Sequence, residues 1–530
     1  MNRWSRQFVS QFWCMFIAIR FFLLIYLTSV TAYAMAEATE SFDLPTFRIA
    51  AEKKIRKKTL PNGLRIILMR QPSSPTIACY LKIAVGSANE SFDQAGTAHF
   101  FEHLLFKGTP TMGTTNYSEE LKLLWQIEAE GEKLDSLERT LLNPLLTDSQ
   151  RSNLKKRMAE QEKLLARLQD EAQKFVISEE DSLAYSLAGQ VGYNAYTTTD
   201  VTNYQIKLPS NRLAMWAELE SNRFLQPVLR EFYPERKVIQ EERRMRYDTQ
   251  PTSLLYELFL KTAFGMSPYG KPVIGFEKSM HRLRLRETRQ FFERNYIPSR
   301  MVITVVGELE FDEAFATLEK YFGRLKARPT PEFPPTVYEP QRGRRIAWLE
   351  ATGSPAMITG WIRPPAMHED DKALEVLSRL LGDGQTSRLV NRLVIQDKLA
   401  ANVKVNAATP GEKLENLFTI FVEVFEATNY SAIERAITEE LERLRTQGPT
   451  AEELTKIKNR YIAEIVLTLS QNAGMADTLS YYELLFNDYR KLFTSFEEIN
   501  EVDAAKIMTV IAKYFTDTRN TSVYLKPLQK

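Results

Sequence analysis

Two of the four histidines in this 530-residue chain fall within one pentapeptide, His99-Phe100-Phe101-Glu102-His103. The surrounding segment, Ala98 to Phe106, has apolar residues at helical spacing and stops at Lys107 and Gly108, a pattern typical of a helix C-terminus. Residues four apart on a helix lie on the same face, about one turn from each other. The pattern therefore predicts a helix from which both imidazoles reach one point, with Glu102 projecting toward the same side.

Two imidazoles at this spacing, with a glutamate between them, point to a catalytic metal site. Zinc in enzymes is held by three protein ligands and keeps a fourth position for water. Candidates for the third ligand are Glu235 and Glu242, which are seven residues apart and share one face of a helix predicted to begin at Pro234. Either carboxylate can complete the site. A glutamate-rich helix alone is usually just a solvated face, so this prediction depends on the histidines.

The length of the chain indicates two or more domains, since single cores stop growing at about 250 to 300 residues. We place the first domain at 45–325. It opens with a hairpin, in which Thr59 to Arg70 is bent by a turn at Pro61 to Gly63 and Thr76 to Val85 forms the next strand. Residues 326–345 contain five prolines and little periodicity, which is typical of a linker. The second domain is predicted at 346–530.

The first domain contains a stretch of different character, residues 117–177, which is rich in Leu, Glu, Lys, Arg and Gln. Apolar residues recur there at helical spacing, Asn143 and Pro144 interrupt the pattern, and Thr147 to Ser149 offer N-caps for a second helix. The stretch therefore predicts a long antiparallel helical hairpin. It is interpreted either as a solvated stalk without chemistry or as a docking arm.

The N-terminus has the pattern of a secretory signal peptide. Arg3 and Arg6 precede an apolar stretch from Phe12 to Val30, and the small residues Ala32 to Ala36 offer A-x-A cleavage sites. We predict a signal peptide at 1–36, with an uncleaved anchor as the alternative. After cleavage no stable membrane span is expected.

The cysteine content and the net charge limit which cellular compartment and which classes of partner the sequence fits. Cys14 lies in the predicted signal, so the mature chain keeps only Cys79 and can form no internal disulfide. An exported protein without disulfides fits a bacterial periplasm. The formal net charge of +2 gives no field that argues for nucleic acid as a partner.

The sequence around the pentapeptide, Gly96 to Thr109, resembles the signature of the pitrilysin/insulinase family of inverted zincins, which includes the mitochondrial processing peptidases. Further segments recur in the same order as in that family: Asn194 to Thr197, Glu235 to Ile239 with Glu242, Pro268 to Gly275, and Val305 to Gly307. The resemblance implies an α+β fold of two related α/β-roll domains. Each is an antiparallel-rich sheet covered by helices, and the helical hairpin is an insertion in the first.

The resemblance also implies roles for individual residues. His99, His103 and Glu242 would hold one zinc ion per chain, Glu102 would be the general base and Glu235 a supporting acid. Glu241 is a rival ligand, but the two acids of the family are seven residues apart. Asn194, Ala195 and Tyr196 match the family's edge strand, against which an extended peptide pairs; an ordinary strand end is the alternative.

In the second domain, Leu381 to Leu389 resembles the family's glycine-rich turn and helix start. Active members usually carry an arginine and a tyrosine shortly after this turn, and they help to bind substrate. The matching positions here are Val394 and Ala401. The resemblance therefore implies a metal-bearing subunit paired with a related second subunit that supplies the missing pair, or a homodimer.

Two classes of function follow. The first is a zinc metalloendopeptidase that hydrolyses peptides or unfolded segments with water activated by Glu102. The second is an assembly or scaffold subunit that retains zinc for structure and has little activity. The intact Glu102 favours the first, because a structural zinc site needs no base.

Overall fold

A computed structural model of the protein describes residues 44–331 and 341–528. The predicted signal peptide and part of the predicted linker lie outside these ranges. Eleven strands occupy the described residues: β1 Ile55–Thr59, β2 Arg65–Arg70, β3 Thr76–Ile83, β4 Val191–Thr197, β5 Thr202–Pro209, β6 Met301–Gly307, β7 Arg345–Ala351, β8 Ala356–Arg363, β9 Ala400–Thr409, β10 Asn416–Val424 and β11 Asn520–Pro527.

The helices of the first half precede, connect or follow the strands of its sheet. They are α1 Leu44–Lys53, α2 Thr97–Leu105, α3 Tyr117–Leu141, α4 Asp148–Gln173, α5 Glu180–Leu187, α6 Leu213–Leu225, α7 Phe232–Arg243, α8 Pro251–Phe264, α9 Glu277–His281, α10 Leu285–Asn295 and α11 Phe311–Phe322. Those of the second half are α12 Asp371–Gly382, α13 Tyr430–Gln447, α14 Ala451–Leu469, α15 Asn472–Phe486, α16 Lys491–Asn500 and α17 Ala504–Tyr514. No helix of the described ranges is long and apolar enough to cross a bilayer.

The strands form two sheets, in the orders β1-β2-β6-β3-β5-β4 and β7-β11-β8-β10-β9. Apart from β1, the two orders correspond strand by strand. Each sheet has one parallel pair, β2 with β6 and β7 with β11, and its other neighbours are antiparallel. The predicted α+β class with two related, antiparallel-rich sheets is confirmed. The relation between the halves is visible in topology although no clear sequence repeat predicted it.

The opening hairpin differs in detail from the prediction. The segment predicted as one bent strand, Thr59 to Arg70, is split by a turn, and β1 and β2 on either side of it pair antiparallel. β6 lies between β2 and β3, because β2 pairs with β6 in parallel and β3 pairs with β6 on its other side. The edge strands are thus β1 and β4.

Each sheet is covered on one face by a helix from the other half. α15, from the second half, packs across β3 and β6 of the first sheet. Its Met475, Ala476 and Leu479 belong to a buried cluster that includes Ile67 and Val306. In return α8, from the first half, packs against the second sheet, with Phe259 in one buried cluster with Ile358. The halves therefore share their cores.

The helical hairpin, α3 and α4, packs along the first half. Thr147 caps α4 as predicted: its hydroxyl accepts from the amide of Gln150. Leu134 and Leu165 are buried in the same cluster as the first sheet, and a Cβ at Gly131 would overlap the Tyr233 hydroxyl at 1.6 Å. The interpretation as a wholly solvated stalk is therefore wrong for this part of the hairpin.

One buried ion pair joins the hairpin to the body. Arg230 Nε lies 2.7 Å from Glu120 Oε1, and neither side chain is exposed by more than 1%. Arg230 also donates to the carbonyls of Lys107, Thr109 and Met112, in the loop that follows α2. The pair thus ties α3 to the end of the histidine-bearing helix.

Replacing Glu120 by glutamine is expected to lower the free energy of unfolding by about 3 to 5 kcal/mol, because it leaves the buried guanidinium without its counter-charge. Urea unfolding followed by circular dichroism measures this. The control is Glu119→Gln: Glu119 is exposed and pairs only with Lys122 among the described ion pairs, so its loss should cost no more than about 0.5 kcal/mol. Equal destabilisation by the two variants would contradict the role of the buried pair.

Candidate metal centre

Two helices bring the candidate ligands together. α2 carries His99, Glu102 and His103, and α7 carries Glu235 and Glu242. α7 begins at Phe232, so the prediction that Pro234 is the first helical residue is wrong by two positions. A proline is tolerated there because the first four amides of a helix have no partner within it.

The start of α2 is fixed by a buried carboxylate. Gly96 has the left-handed φ of 99° at the N-cap, and Glu90 accepts from the amides of Gly96, at 2.8 Å, and of Ala98, at 2.6 Å. A carboxylate at this end also suits the positive end of the helix dipole. Glu90 therefore sets the position from which the histidines project.

Three side chains converge on one point. His99 Nε2 lies 3.9 Å from Glu242 Oε1, and His103 Nε2 lies 3.6 Å from Glu242 Oε2. One ligand atom from each of the three residues lies within 4.8 Å of the others. Atoms bound about 2.0 to 2.1 Å from a tetrahedral zinc ion are about 3.3 Å apart, so this donor set is close to the size of a zinc site.

A second carboxylate, that of Glu235, orients the ring of His103 from the side away from Glu242. Its Nδ1 lies 2.9 Å from Glu235 Oε1, which leaves Nε2 facing Glu242. Lys107 Nζ lies 2.7 Å from the other oxygen of Glu235 and 3.2 Å from Glu231. Burial alone lowers the pKa of His103, but the hydrogen bond and charge of Glu235 outweigh it and raise that pKa. Such carboxylate–histidine contacts fix the ring of a metal ligand.

His99 is more enclosed. Burial, aided by the nearby charge of His103, lowers the pKa of His99 to about 3, so its ring is neutral at physiological pH. Its Nδ1 is buried and has no hydrogen-bond partner among the described residues. Arg246, in the turn after α7, has its Nε 3.2 Å from Glu242 Oε1 and would compete with a metal ion for that oxygen.

Glu102 is held by the edge strand. The hydroxyl of Thr197, the last residue of β4, donates to Glu102 Oε2 at 2.5 Å. Burial raises the pKa of Glu102, although the Thr197 hydrogen bond and the charge of His103 act against the rise. The carboxylate is therefore a better proton acceptor than an exposed glutamate.

The predicted substrate strand lies beside these groups. β4 pairs with β5 on one side, and no strand covers its other edge in the part of the chain that the structure describes. Asn194 and Ala195 line one cavity with Glu102 and His103. Tyr196 projects to the opposite face, where its hydroxyl accepts from Lys82 and contacts Asp477 of α15. The structure thus groups Asn194 and Ala195 with the metal ligands and places the Tyr196 side chain elsewhere.

That cavity has a volume of about 550 Å³. Its walls come from α2, β4, the start of α7 and the segment that follows the helical hairpin, residues 176–182. Most of the charged side chains that line it are acidic. A space of this size beside Glu102 and an open strand edge can take part of an extended peptide.

The remaining sequence candidates fall outside the centre. The side chain of Glu241 is 62% exposed and pairs with Arg244, so it does not join the ligand set. Val394 packs against the second-half core and Ala401 is exposed near the start of β9. Neither offers a polar side chain.

Three contributors were not assigned a role from sequence: Glu90, Lys107 and the hydroxyl of Thr197. In the sequence, Lys107 fits the end of a helix and Thr197 fits the end of a strand, and neither pattern indicates a contact with the site. Glu90 lies six residues before Gly96, and no local pattern indicates that it turns back to cap α2. Asn89, Asp93 and Gln94 lie close to it in sequence, so its residue type does not single it out.

Two family models match the chain. The model described as insulinase, peptidase family M16, matches residues 65–139 and 179–277, and the model described as the peptidase M16 inactive domain matches residues 282–461. The unmatched residues 140–178 fall in the helical hairpin. Together the two models cover most of both sheets.

Similar proteins and structures extend over nearly the whole chain. The zinc protease PqqE of Helicobacter pylori is 28% identical, over 88% of this chain and 92% of its own length. An uncharacterized zinc protease of Mycobacterium leprae is 25% identical, over 90% and 94%. The crystal structure of a protease from Helicobacter pylori superposes with a TM-score of 0.72 at 26% identity, covering 89% of this chain and 99% of that one.

A more distant structure differs in length. The periplasmic protease PqqL of Escherichia coli matches with a TM-score of 0.64 at 18% identity, and the match covers 90% of this chain but 48% of PqqL. At this identity the likeness concerns the fold alone. A chain of PqqL is thus about twice as long as the unit described here.

Proposed function

The chain belongs to the insulinase family of peptidases, family M16, and from this premise we propose that it is a zinc-dependent endopeptidase acting on peptides or unfolded protein segments. The observation that carries the proposal is the convergence of His99, His103 and Glu242 beside the buried carboxylate of Glu102. The names of the relatives, zinc proteases, support the same metal and reaction.

The donor set suits zinc. Two neutral imidazole nitrogens and one carboxylate are the ligands of many catalytic zinc sites, and the Glu235 contact behind His103 is the kind of support that such sites carry. When bound, zinc supplies a water of lowered pKa and polarises a peptide carbonyl. His99, His103 and Glu242 would hold the ion, and Glu235 would orient His103.

Glu102 carries the proton chemistry. Its carboxylate accepts a proton from the attacking water and returns it to the leaving nitrogen, so the carboxylate ends as it began. Thr197 holds one carboxylate oxygen and leaves the other for the water. The raised pKa of Glu102 brings it nearer to the range in which one group both accepts and donates a proton.

Substrate binding falls to the free edge of β4. An extended peptide adds to an exposed strand through main-chain hydrogen bonds, which give affinity with few demands on sequence. Asn194, Ala195 and Tyr196 would supply that edge. The side chain of Tyr196 faces the second half, so we assign its backbone rather than its ring to the peptide.

We further propose that the active form is paired. The positions at which active relatives carry arginine and tyrosine hold Val394 and Ala401, so the second half supplies neither group. A related subunit, or a second copy of this chain, would bring polar groups to the peptide at the interface between the two chains. The chain of PqqL is long enough to contain two units of this fold.

We place the mature protein in the periplasm. The N-terminal pattern of two arginines, an apolar stretch and small residues supports export. The description of PqqL as a periplasmic protease is consistent with this.

The deciding experiment is metal analysis together with cleavage mapping on the mature protein. The protein is loaded with zinc and incubated with a library of unstructured peptides, alone and with a related gene product encoded nearby. We expect about one zinc per chain and cleavage that strengthens with the partner. Zinc retention without cleavage in either case would favour a scaffold subunit, and full activity of the chain as a monomer would contradict the pairing.

Replacing Glu235 by glutamine is expected to weaken zinc affinity about 10- to 100-fold, because His103 loses the charge that orients its ring. Competition with a fluorescent chelator measures the affinity. Glu231→Gln is the matched control, since Glu231 also pairs with Lys107 but does not contact His103. Equal affinities of the Glu235 variant and the wild type would refute the orienting role.

A further inference from the structure

The two halves meet at corresponding hairpin turns. The turn between β4 and β5, Thr198 to Val201, faces the turn between β9 and β10, and these strand pairs occupy equivalent places in the two sheets. Asp200 Oδ2 accepts from the amides of Glu412, at 2.8 Å, and Lys413, at 3.2 Å. The second half therefore binds the turn that follows β4, the proposed substrate strand.

Tyr269 completes this contact. It has no solvent exposure, and it comes from the segment Pro268 to Gly275, which the metal centre does not use. Its hydroxyl donates to the Asp200 carboxylate, 2.8 Å from Oδ1, and accepts from the amides of Lys413, at 3.0 Å, and Leu414, at 3.1 Å. One donated and two accepted bonds use the full capacity of a hydroxyl.

Gly411 lies so close to Asp200 and Tyr269 that no side chain fits between them. A Cβ added at Gly411 would lie 2.4 Å from Asp200 Oδ2 and 2.7 Å from the Tyr269 hydroxyl. Both distances are far below van der Waals contact, so only glycine allows the second-half turn to approach this closely. The close approach and the five hydrogen bonds define one clamp, which consists of Tyr269, Asp200 and the amides of residues 412–414.

The clamped turn is linked to Glu102 through Thr197, the residue just before it. The Thr198 hydroxyl accepts from the amides of Asp200, at 3.3 Å, and Val201, at 3.0 Å, so the position of Asp200 is fixed relative to the end of β4. The preceding residue is Thr197, whose hydroxyl holds Glu102. On the other side the turn is bound by Ser87 and Ala88, whose amides donate to the carbonyls of Thr198 and Thr199.

The same segment touches both ligand-bearing helices. A Cβ at Gly275 would lie 2.2 Å from the carbonyl oxygen of Ala95, just before α2, and Arg243 at the end of α7 donates to the Gly275 carbonyl. The segment therefore contacts the start of α2, the end of α7 and, through Tyr269, the end of β4. α2 and α7 carry the candidate ligands and the base, and β4 carries Thr197, which holds the base.

We propose that Tyr269 is a positioning residue: by clamping Asp200 to the second half, it holds Thr197 at hydrogen-bonding distance from Glu102. The proposal rests on the proposed peptidase function and gives the second half a part in the reaction. A base displaced by about 1 Å loses about 100-fold in rate, so a small relaxation of the turn lowers kcat. Peptide pairing along the rest of β4 is unaffected, and KM stays the same.

Tyr269→Phe in the zinc-loaded full chain tests this by kinetics. We expect kcat to fall about 10- to 100-fold, with KM and zinc content unchanged. Tyr256→Phe is the matched control, because Tyr256 packs against the same core and is not among the hydrogen-bond partners of Asp200. If Tyr269→Phe changes KM alone, or lowers kcat no more than Tyr256→Phe does, the proposal is overturned.

A double-mutant cycle separates positioning from a general loss of structure. Thr197→Val removes the hydroxyl that holds Glu102, and Thr197→Ser retains it and should restore most of kcat. If Tyr269 acts through Thr197, adding Tyr269→Phe to Thr197→Val should change kcat by less than about 2-fold. Two effects that simply multiply would show that Tyr269 acts by another route.

Hydrogen exchange tests the clamp without any reaction. In the zinc-free full chain, Tyr269→Phe should speed amide exchange at residues 198–201 and 412–414 about 10-fold, and leave exchange in α13 unchanged. Unchanged exchange at both turns would overturn the proposal. If the wild-type protein cleaves no peptide, the proposed function fails by that result, and exchange still decides whether the clamp exists.

Discussion

Replacing Glu102 by glutamine is expected to lower kcat about 10²- to 10⁴-fold while zinc stays bound, since loss of a general base costs this much and Glu102 is not one of the converging ligands. Glutamine has nearly the same shape and still accepts the hydrogen bond of Thr197 through its amide oxygen. It cannot take a proton from water. Steady-state cleavage of a quenched fluorescent peptide measures kcat, and atomic emission measures zinc.

The control for this variant is its stability and metal content. Glu102 is buried, so a loss of activity caused by misfolding would appear as a lower melting temperature or as lost zinc. We expect neither to change appreciably, because a neutral amide is easier to bury than a carboxylate. Cleavage within 10-fold of the wild-type rate would exclude Glu102 as the base.

Replacing Glu242 by glutamine is expected to remove zinc and, with it, more than about 10³-fold of the activity, because two histidines alone hold zinc too weakly for a catalytic site. Metal content after dialysis measures the loss. The experiment also decides between the rival carboxylates, since Glu241 is the adjacent residue on the same helix.

Glu241→Gln is the matched control. Its side chain is largely exposed and pairs with Arg244, so the change should leave zinc content and kcat within about 2-fold of wild type. Treatment with a chelator should inactivate the wild type, and added zinc should restore it. Loss of zinc from the Glu241 variant, with the Glu242 variant intact, would reverse the assignment of the third ligand.

The metal centre was predictable from sequence to the extent that it is local. The spacing of His99, Glu102 and His103 fixes their shared face once a helix forms, and the helix signals were strong. The choice among Glu235, Glu241 and Glu242 was not local, because all three lie on a helix whose rotation depends on packing. Only the family resemblance separated them, and the structure agrees by turning Glu241 outward.

The supporting contacts were beyond prediction for the same reason. Thr197 and Asp200 act over long sequence separations, and Glu90 acts through a turn of the chain that no local pattern indicates. The repetition of the fold was predicted by the family resemblance and not by any repeat of residues between the halves. The two sheets correspond in strand order, but the residues that cover them come from different helices and carry little common pattern.

The exchange of α8 and α15 between the halves has a consequence for biosynthesis. The face of the first sheet that contains Ile67 and Val306 is covered by α15, which is translated about 165 residues after β6 ends. Until then the surface lacks the part of its cover that α15 provides. Synthesis of the first half alone therefore cannot yield a finished core, and a chain that stops before residue 472 is a substrate for chaperones rather than a smaller enzyme.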